Sequence, residues 1–301
     1  MQTIDAFDRK FPNDDACKQF LVDLRWPDGI TCPRCDGTER IYALKARPFH
    51  WVCKNQDCGG KNGYRFSVIS HTIFQDTKVP LKLWFKVGYL MMVSKKGVSA
   101  LQVHRVIFGG DSGSDYRTSW YMCHRWRAAM KENGFFQLIG EVEVDETYVG
   151  GKNKNRHKSK RIKGRGTAGK IPVVGAIERG GDVVTKVVKN TDRKTLSGFV
   201  TEVVSKQASL VATDKHSGYD PLKANGYPHE SVIHSKGEYV RGNVHTANID
   251  SFWSLFKRGI VGAFHHVSEK YLQLYLNEFA FRHNNRKNPY AFATLIETCS
   301  K

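Results

Sequence analysis

Apolar positions along this chain recur with two different periods, and the change of period divides it. In the first 25 residues Phe7, Phe11, Phe20, Leu21 and Leu24 fall at helical spacing, with Asp14 and Asp15 just ahead of the second helical stretch, as in an amphipathic helix. Pro27, Gly29 and Pro33 then break the pattern and open a loop-rich module that ends near Phe66. Apolar residues crowd Val79–Ser94 behind Thr77 and Pro80, which predicts a buried helix with a capped start. Helical spacing returns over Ser99–Ile107 and Arg117–Lys131. Three helices with turns between them predict a helix-turn-helix, although Phe108–Asp115 is longer than the turn of about 3–4 residues that usually precedes a recognition helix.

After Gly140 the texture changes to strands. GEVEVDETYVGG, KIPVVGAIERGG and DVVTKVVKN are β-rich runs separated by glycines, LVATD and ESVIHS follow, and Lys194–Lys206 reads as a helix between them. That order predicts a mixed α/β sheet, with two carboxy-terminal helices at about Ile249–Arg258 and Ser268–Asn284 to cover it.

Composition adds a partner. The 301 residues hold 47 Lys and Arg against 29 Asp and Glu, a formal charge of +18, which favours a polyanion, nucleic acid above all. Hydrophobic residues at 40% and aromatics at 12% suit a folded chain of two or three units. The most apolar stretch, Val87–Val93, is far short of the roughly 18 residues a bilayer span requires. MQTIDAFDRKFPNDD lacks the basic start and apolar middle of a secretory signal, so a cytoplasmic location is expected.

Four of the seven cysteines are paired by spacing: Cys32 and Cys35, then Cys53 and Cys58. Two close thiolate pairs can close a tetrahedral shell around one zinc, and the 17 residues between Cys35 and Cys53 are enough for a short hairpin. Four cysteines leave no open position for a substrate, so the zinc is expected to be structural. Cys17, Cys123 and Cys299 lack such partners and read as packing residues.

The acidic candidates are scattered: Asp145 in the first strand, Asp214 at the end of LVATD, then Asn248 and Asp250 near the start of a helix. Adjacent strands can set Asp145 and Asp214 side by side, where hard Mg²⁺ ions would find oxygen ligands. Phosphodiester cleavage uses two such ions about 4 Å apart. Glu143 shares the strand face of Asp145 and Glu146 takes the other, so parity does not choose between Glu143 and Asp145.

EVEVDETYVGGK, TDKHSGY, HSKGEYVRGNVHTANIDSFWSLFKRGI and HHVSEKYLQLYLNEFAFRHNNRK resemble the catalytic blocks of bacterial insertion-sequence transposases of the ISXO2-like family, with an amino-terminal zinc ribbon and an RNase H-like core. FSVISHTIFQDTKVPLKLWF resembles the stretch after that family's ribbon, and the likeness runs from about Phe20 to Lys287. It implies an α/β fold: an RNase H-like mixed sheet with flanking helices over 140–290, preceded by a helix (1–25), a zinc ribbon (26–70) and a helical, helix-turn-helix-like DNA-binding segment (71–139). It settles the first two metal ligands on Asp145 and Asp214. The third acidic position can be Glu or Asn in the family. This chain departs from the commoner Glu: Asp250 stands in its place, while Asn248 fits the asparagine branch. Asp250 and Lys257 lie seven apart on one helical face whereas Asn248 points almost opposite, which favours Asp250 without removing Asn248. Lys257 is the basic residue that follows on the same helix and would hold a phosphate as a point charge.

Between the first two strands, GGKNKNRHKSKRIKGRGTAGK carries Lys158, Lys160, Arg161, Lys163 and Arg165 among other cations. Like charges there should keep the loop mobile until DNA phosphates neutralise it. The implied activity is metal-dependent cleavage at the element's terminal repeats and transfer of the freed 3′-hydroxyl into target DNA, with two Mg²⁺ (or Mn²⁺) and one Zn²⁺, by at least a dimer acting on the nucleoid. Two rivals stand beside it: a structure-specific nuclease, and a non-enzymatic zinc-ribbon regulator, which would leave Asp145 and Asp214 idle.

Overall fold

The computed structural model describes residues 3–59, 62–110, 115–131, 137–151, 153–163, 166–233 and 237–300. It divides into two compact units, one built from Met1–Met130 together with Lys287–Lys301 and the other from Lys131–Arg286.

The first unit opens with two helices, α1 (Ile4–Lys10) and α2 (Asp14–Arg25), each started by a side chain: Thr3 accepts from the Ala6 N–H and Asn13 from that of Ala16. A three-stranded antiparallel sheet follows, of β1 (Ile41–Ala43), β2 (His50–Cys53) and β3 (Tyr64–Ser67), with the short helix α3 (Gln56–Gly59) between the last two. Next come α4 (Leu81–Val93), α5 (Ala100–Phe108) and α6 (Tyr116–Ala129), close to the three helical stretches expected; the residues between the last two include 111–114, outside the described residues. The start of α4 is capped differently from the expectation. Pro80 offers no side-chain acceptor, and the Thr77 hydroxyl is engaged by Trp84 Nε1 (2.8 Å). The Asp14 carboxylate at the head of α2 instead accepts the N–H groups of Leu81 (3.1 Å) and Lys82 (2.9 Å). A helix beyond the expected set, α11 (Ala291–Glu297), places Phe292 against Phe7, Phe11 and Phe85, with ring centroids 5.8–6.0 Å apart. Phe7, Phe11 and Phe85 are buried, and the cluster forms part of the unit's core.

The second unit is the mixed α/β sheet. Strands β4 (Glu141–Val149), β5 (Ile171–Glu178), β6 (Val183–Val187), β7 (Leu210–Asp214) and β8 (His229–Val232) lie in the order β6-β5-β4-β7-β8. The first three pair antiparallel, and β4, β7 and β8 run parallel. Helix α7 (Arg193–Val203) and the single turn α8 (Pro221–Ala224) cover one face through Val142, Val144, Leu196, Val200 and Leu222. On the other face α9 (Ala247–Gly259) and α10 (Glu269–Asn284) bury Val149, Val173, Ile177, Trp253, Phe256 and Leu276. Gly175 sets how closely α9 approaches, because a Cβ there would lie 2.6 Å from the Trp253 ring. Both faces are covered, so every second residue of the central strand β4 is forced inward on each side.

Candidate active site and metal centre

In the first unit the four spaced cysteines converge. The β1–β2 hairpin returns Cys53 toward Cys35, and α3 supplies Cys58. Cys32 and Cys58 Sγ atoms lie 3.4 Å apart, and those of Cys35 and Cys53 3.8 Å. All four sulfurs fall within 4.8 Å of one another and none is in a disulfide. A tetrahedron with Zn–S bonds of about 2.3 Å has sulfurs about 3.8 Å apart, so the donor set fits zinc. The Asn55 amide and the Gly37 N–H hold the Cys35 thiol down at about 6, whereas burial and the neighbouring sulfurs push the Cys53 and Cys58 thiols up, so the convergence of the four sulfurs and not their titration carries the zinc reading.

In the second unit the parallel pairing of β4 with β7 sets Val144 opposite Thr213, one step before Asp145 and Asp214. Their carboxylates and that of Glu146 meet within 4.8 Å of one another. Burial, and then the neighbouring charges of Glu146, Asp214 and Asp250, push the Asp145 carboxyl up to about 8. Glu146 is also raised, by burial and by Asp214, although His216 and a hydrogen bond from the Tyr219 hydroxyl (2.9 Å) oppose the shift. Carboxylates crowded together in this way, all oxygen donors, suit a hard divalent ion such as Mg²⁺ or Mn²⁺.

Asp250 is exposed in the first turn of α9, outside that group of three but near enough for its charge to act on Asp145. Its Oδ2 accepts the Thr246 hydroxyl (3.0 Å). Asn248 also lies inside this first turn, since Thr246 is the N-cap and the helix begins two residues earlier than its apolar pattern indicated. Its amide nitrogen donates to Glu143 Oε1 (2.8 Å). Lys257 is exposed in the last turn.

Within the described part of the basic loop, two arginines are tied to backbone carbonyls. Arg161 donates to the carbonyls of Lys154 (3.0 Å) and Arg156 (3.3 Å), and Arg156 to that of Gly169 (2.9 Å). Lys158 and Lys163 are exposed, whereas the Lys160 side chain and Arg165 lie outside the described residues. The motifs left Glu146, His216 and Tyr219 unassigned; the signal available was their place inside DET and DKHSGY, the segments that hold Asp145 and Asp214.

The geometry defines a class: a four-cysteine zinc ribbon in one unit, and in the other an RNase H-like sheet with carboxylates gathered at the ends of its central strands. Residues 137–284 match the ISXO2-like transposase domain and residues 12–61 the transposase zinc-ribbon domain, and through these the chain belongs with the ISXO2-like transposases. It is 26% identical over 303 residues to a protein in the transposable element ISH50 of Halobacterium salinarum, an alignment covering 96% of this chain and 98% of that one. Among the described residues no helix is long and apolar enough to cross a membrane.

Proposed function

We propose that this protein cuts DNA at the ends of an insertion sequence and joins the freed 3′-hydroxyl to target DNA, working as at least a dimer on DNA in the cytoplasm. The observation that carries the reading is the meeting of the Asp145 and Asp214 carboxylates at neighbouring strand ends within a transposase domain. Asp145 and Asp214 would hold divalent metal with Asp250 as third ligand, and the metal would supply charge to activate the attacking oxygen and stabilise the leaving one. Asp250 is preferred to Asn248 because its charge reaches Asp145, whereas the Asn248 amide is turned to Glu143. Lys257 and the exposed cations Lys158, Arg161 and Lys163, with Lys160 and Arg165, would hold phosphates and so fix the DNA's register. The four-cysteine ribbon would carry one structural zinc.

Purified protein is incubated with element-end DNA, Mg²⁺ and a target plasmid, and cleaved and joined products are separated. Wild type should give both. Asp145→Ala, Asp214→Ala and Asp250→Ala should give neither while still binding DNA, and Asp250→Glu should retain both. Cut ends that never join would leave a plain nuclease, and binding without cutting a regulator. A dead Asn248→Ala beside an active Asp250→Ala would move the third ligand to Asn248.

A further inference from the structure

Glu143 is completely buried on β4, two residues before Asp145 and on the same face. A carboxylate in such a place is costly unless donors surround it. Here they do. Oε2 accepts the backbone N–H groups of Asn248 (2.8 Å) and Ile249 (3.1 Å). Oε1 accepts Arg179 Nε (2.8 Å) and Asn248 Nδ2 (2.8 Å), and His245 Nδ1 stands 3.2 Å away. Arg179 is itself held by Glu141 and by the His245 carbonyl.

Asn248 and Ile249 are the second and third residues of α9, whose N–H groups an N-cap side chain ordinarily satisfies. Thr246 occupies the N-cap but makes no such bond; its hydroxyl goes to Asp250. The cap of α9 therefore comes from the strand that carries Asp145, and its negative charge also suits the positive end of the helix. Strand and helix are pinned at a single point, two residues before Asp145 on one and two residues before Asp250 on the other.

We propose that Glu143 is a positioning residue for the metal site: by capping α9 from β4 it fixes the Asp250 carboxylate relative to Asp145, with Arg179 holding Glu143 in place. The proposal rests on Asp250 being the third ligand. It is tested on the full-length, zinc-loaded protein by titrating Mn²⁺ without DNA and following free Mn²⁺ by electron paramagnetic resonance, with thermal unfolding recorded in parallel. Glu143→Gln keeps the shape but presents an amide N–H to a ring of donors. It should raise the Mn²⁺ concentration for half-saturation by about 10–100-fold, the range found when a group orienting a metal ligand is lost. End cleavage should need correspondingly more Mn²⁺ and recover as the ion is raised, with DNA affinity unchanged.

A purely structural Glu143 would reduce the folded fraction and leave the Mn²⁺ midpoint of the folded protein where it was; that result overturns the proposal. Should Glu143→Gln not fold, Arg179→Lys is read in the same way, with an expected shift of about 2–10-fold for a lost hydrogen bond to a buried charge, and an unmoved midpoint again overturns it. Asp145→Asn separates the two levels. If it still binds Mn²⁺ as wild type does, the active-site reading itself fails. If it loses Mn²⁺ while Glu143→Gln keeps wild-type binding, only the positioning role fails.

Discussion

Replacing Asp145 by Asn should stabilise the metal-free protein, and the gain should depend on pH. The Asp145 carboxyl is pushed up to about 8 by burial and by Glu146, Asp214 and Asp250, whereas in the unfolded chain it titrates near 3.9. Between these values the native state keeps a proton that the unfolded state has released, so stability falls as pH rises. The contribution is fully present below about pH 4 and lost by about pH 8. Each unit is worth about 1.4 kcal/mol, an upper bound of about 5–6 kcal/mol across the window. Water reaching this half-buried side chain screens its neighbours, and we expect roughly 2–3 kcal/mol to remain at pH 8. The assay is urea unfolding of wild type and Asp145→Asn in metal-depleted buffer with the ribbon zinc retained, from pH 4.5 to 8.5. The Asn variant should pull ahead steadily with pH and level off above about pH 8. Mg²⁺ at about 100 times its dissociation constant should then return about 2.7 kcal/mol to wild type and far less to the variant. Equal stability of the two proteins across the whole range, or a variant less stable at pH 8, would refute the claim that these carboxylates are electrostatically strained.

Three further outcomes are expected. Elemental analysis should find one zinc per chain, lost in the Cys32→Ser, Cys35→Ser double variant, which should disorder the ribbon while hydrogen exchange in β4, β5 and β7 stays protected. Neutralising Lys158, Lys160, Arg161 and Lys163 together should flatten the log–log dependence of duplex affinity on salt by about 0.9 for each phosphate contact removed; an unchanged slope would place those contacts elsewhere. Gly175→Ala should destabilise the second unit by about 1–3 kcal/mol, since its Cβ would sit 2.6 Å from Trp253, and denaturant unfolding with the same midpoint as wild type would contradict the packing of α9 on β5.

The features legible in the sequence are those written in local spacing. The cysteine pairs, the alternation in EVEVDETYV and the apolar stripe of α9 each depend on neighbours a few residues away, and each forms as its pattern indicates. Contacts between distant segments were not legible. The cap of α4 comes from Asp14, 67 residues earlier, and the donors around Glu143 come from Arg179, 36 residues on, and from Asn248, 105 residues on. Glu143 left no trace that sets it apart: in EVEVDETYV it is one of four acidic residues, and that it is buried follows only once α9 covers its face. Helix α11 has no local signal, because seven residues are too few to establish a period and its partners Phe7, Phe11 and Phe85 lie about 200 or more residues earlier in the chain.

The choice between Asn248 and Asp250 shows where helical geometry stops and contacts take over. Two residues apart on a helix, they diverge by about 200°, which taken alone would put one of them away from the sheet. Ile249 between them is fully buried, however, so each stands about 100° from the axis of burial and both border the covered face. The helical wheel therefore admits either residue. What distinguishes them is the strand position each addresses: Asn248 meets Glu143, nearer the start of β4, and the charge of Asp250 acts on Asp145, further along the same strand. The spacing of two on the strand, which keeps Glu143 and Asp145 on one face, is matched by a spacing of two on the helix. With Glu143 occupied by the helix start, Asp145 stays available to a metal, and the charge of Asp250 acting on it is the reason Asp250 is the residue we propose as third ligand.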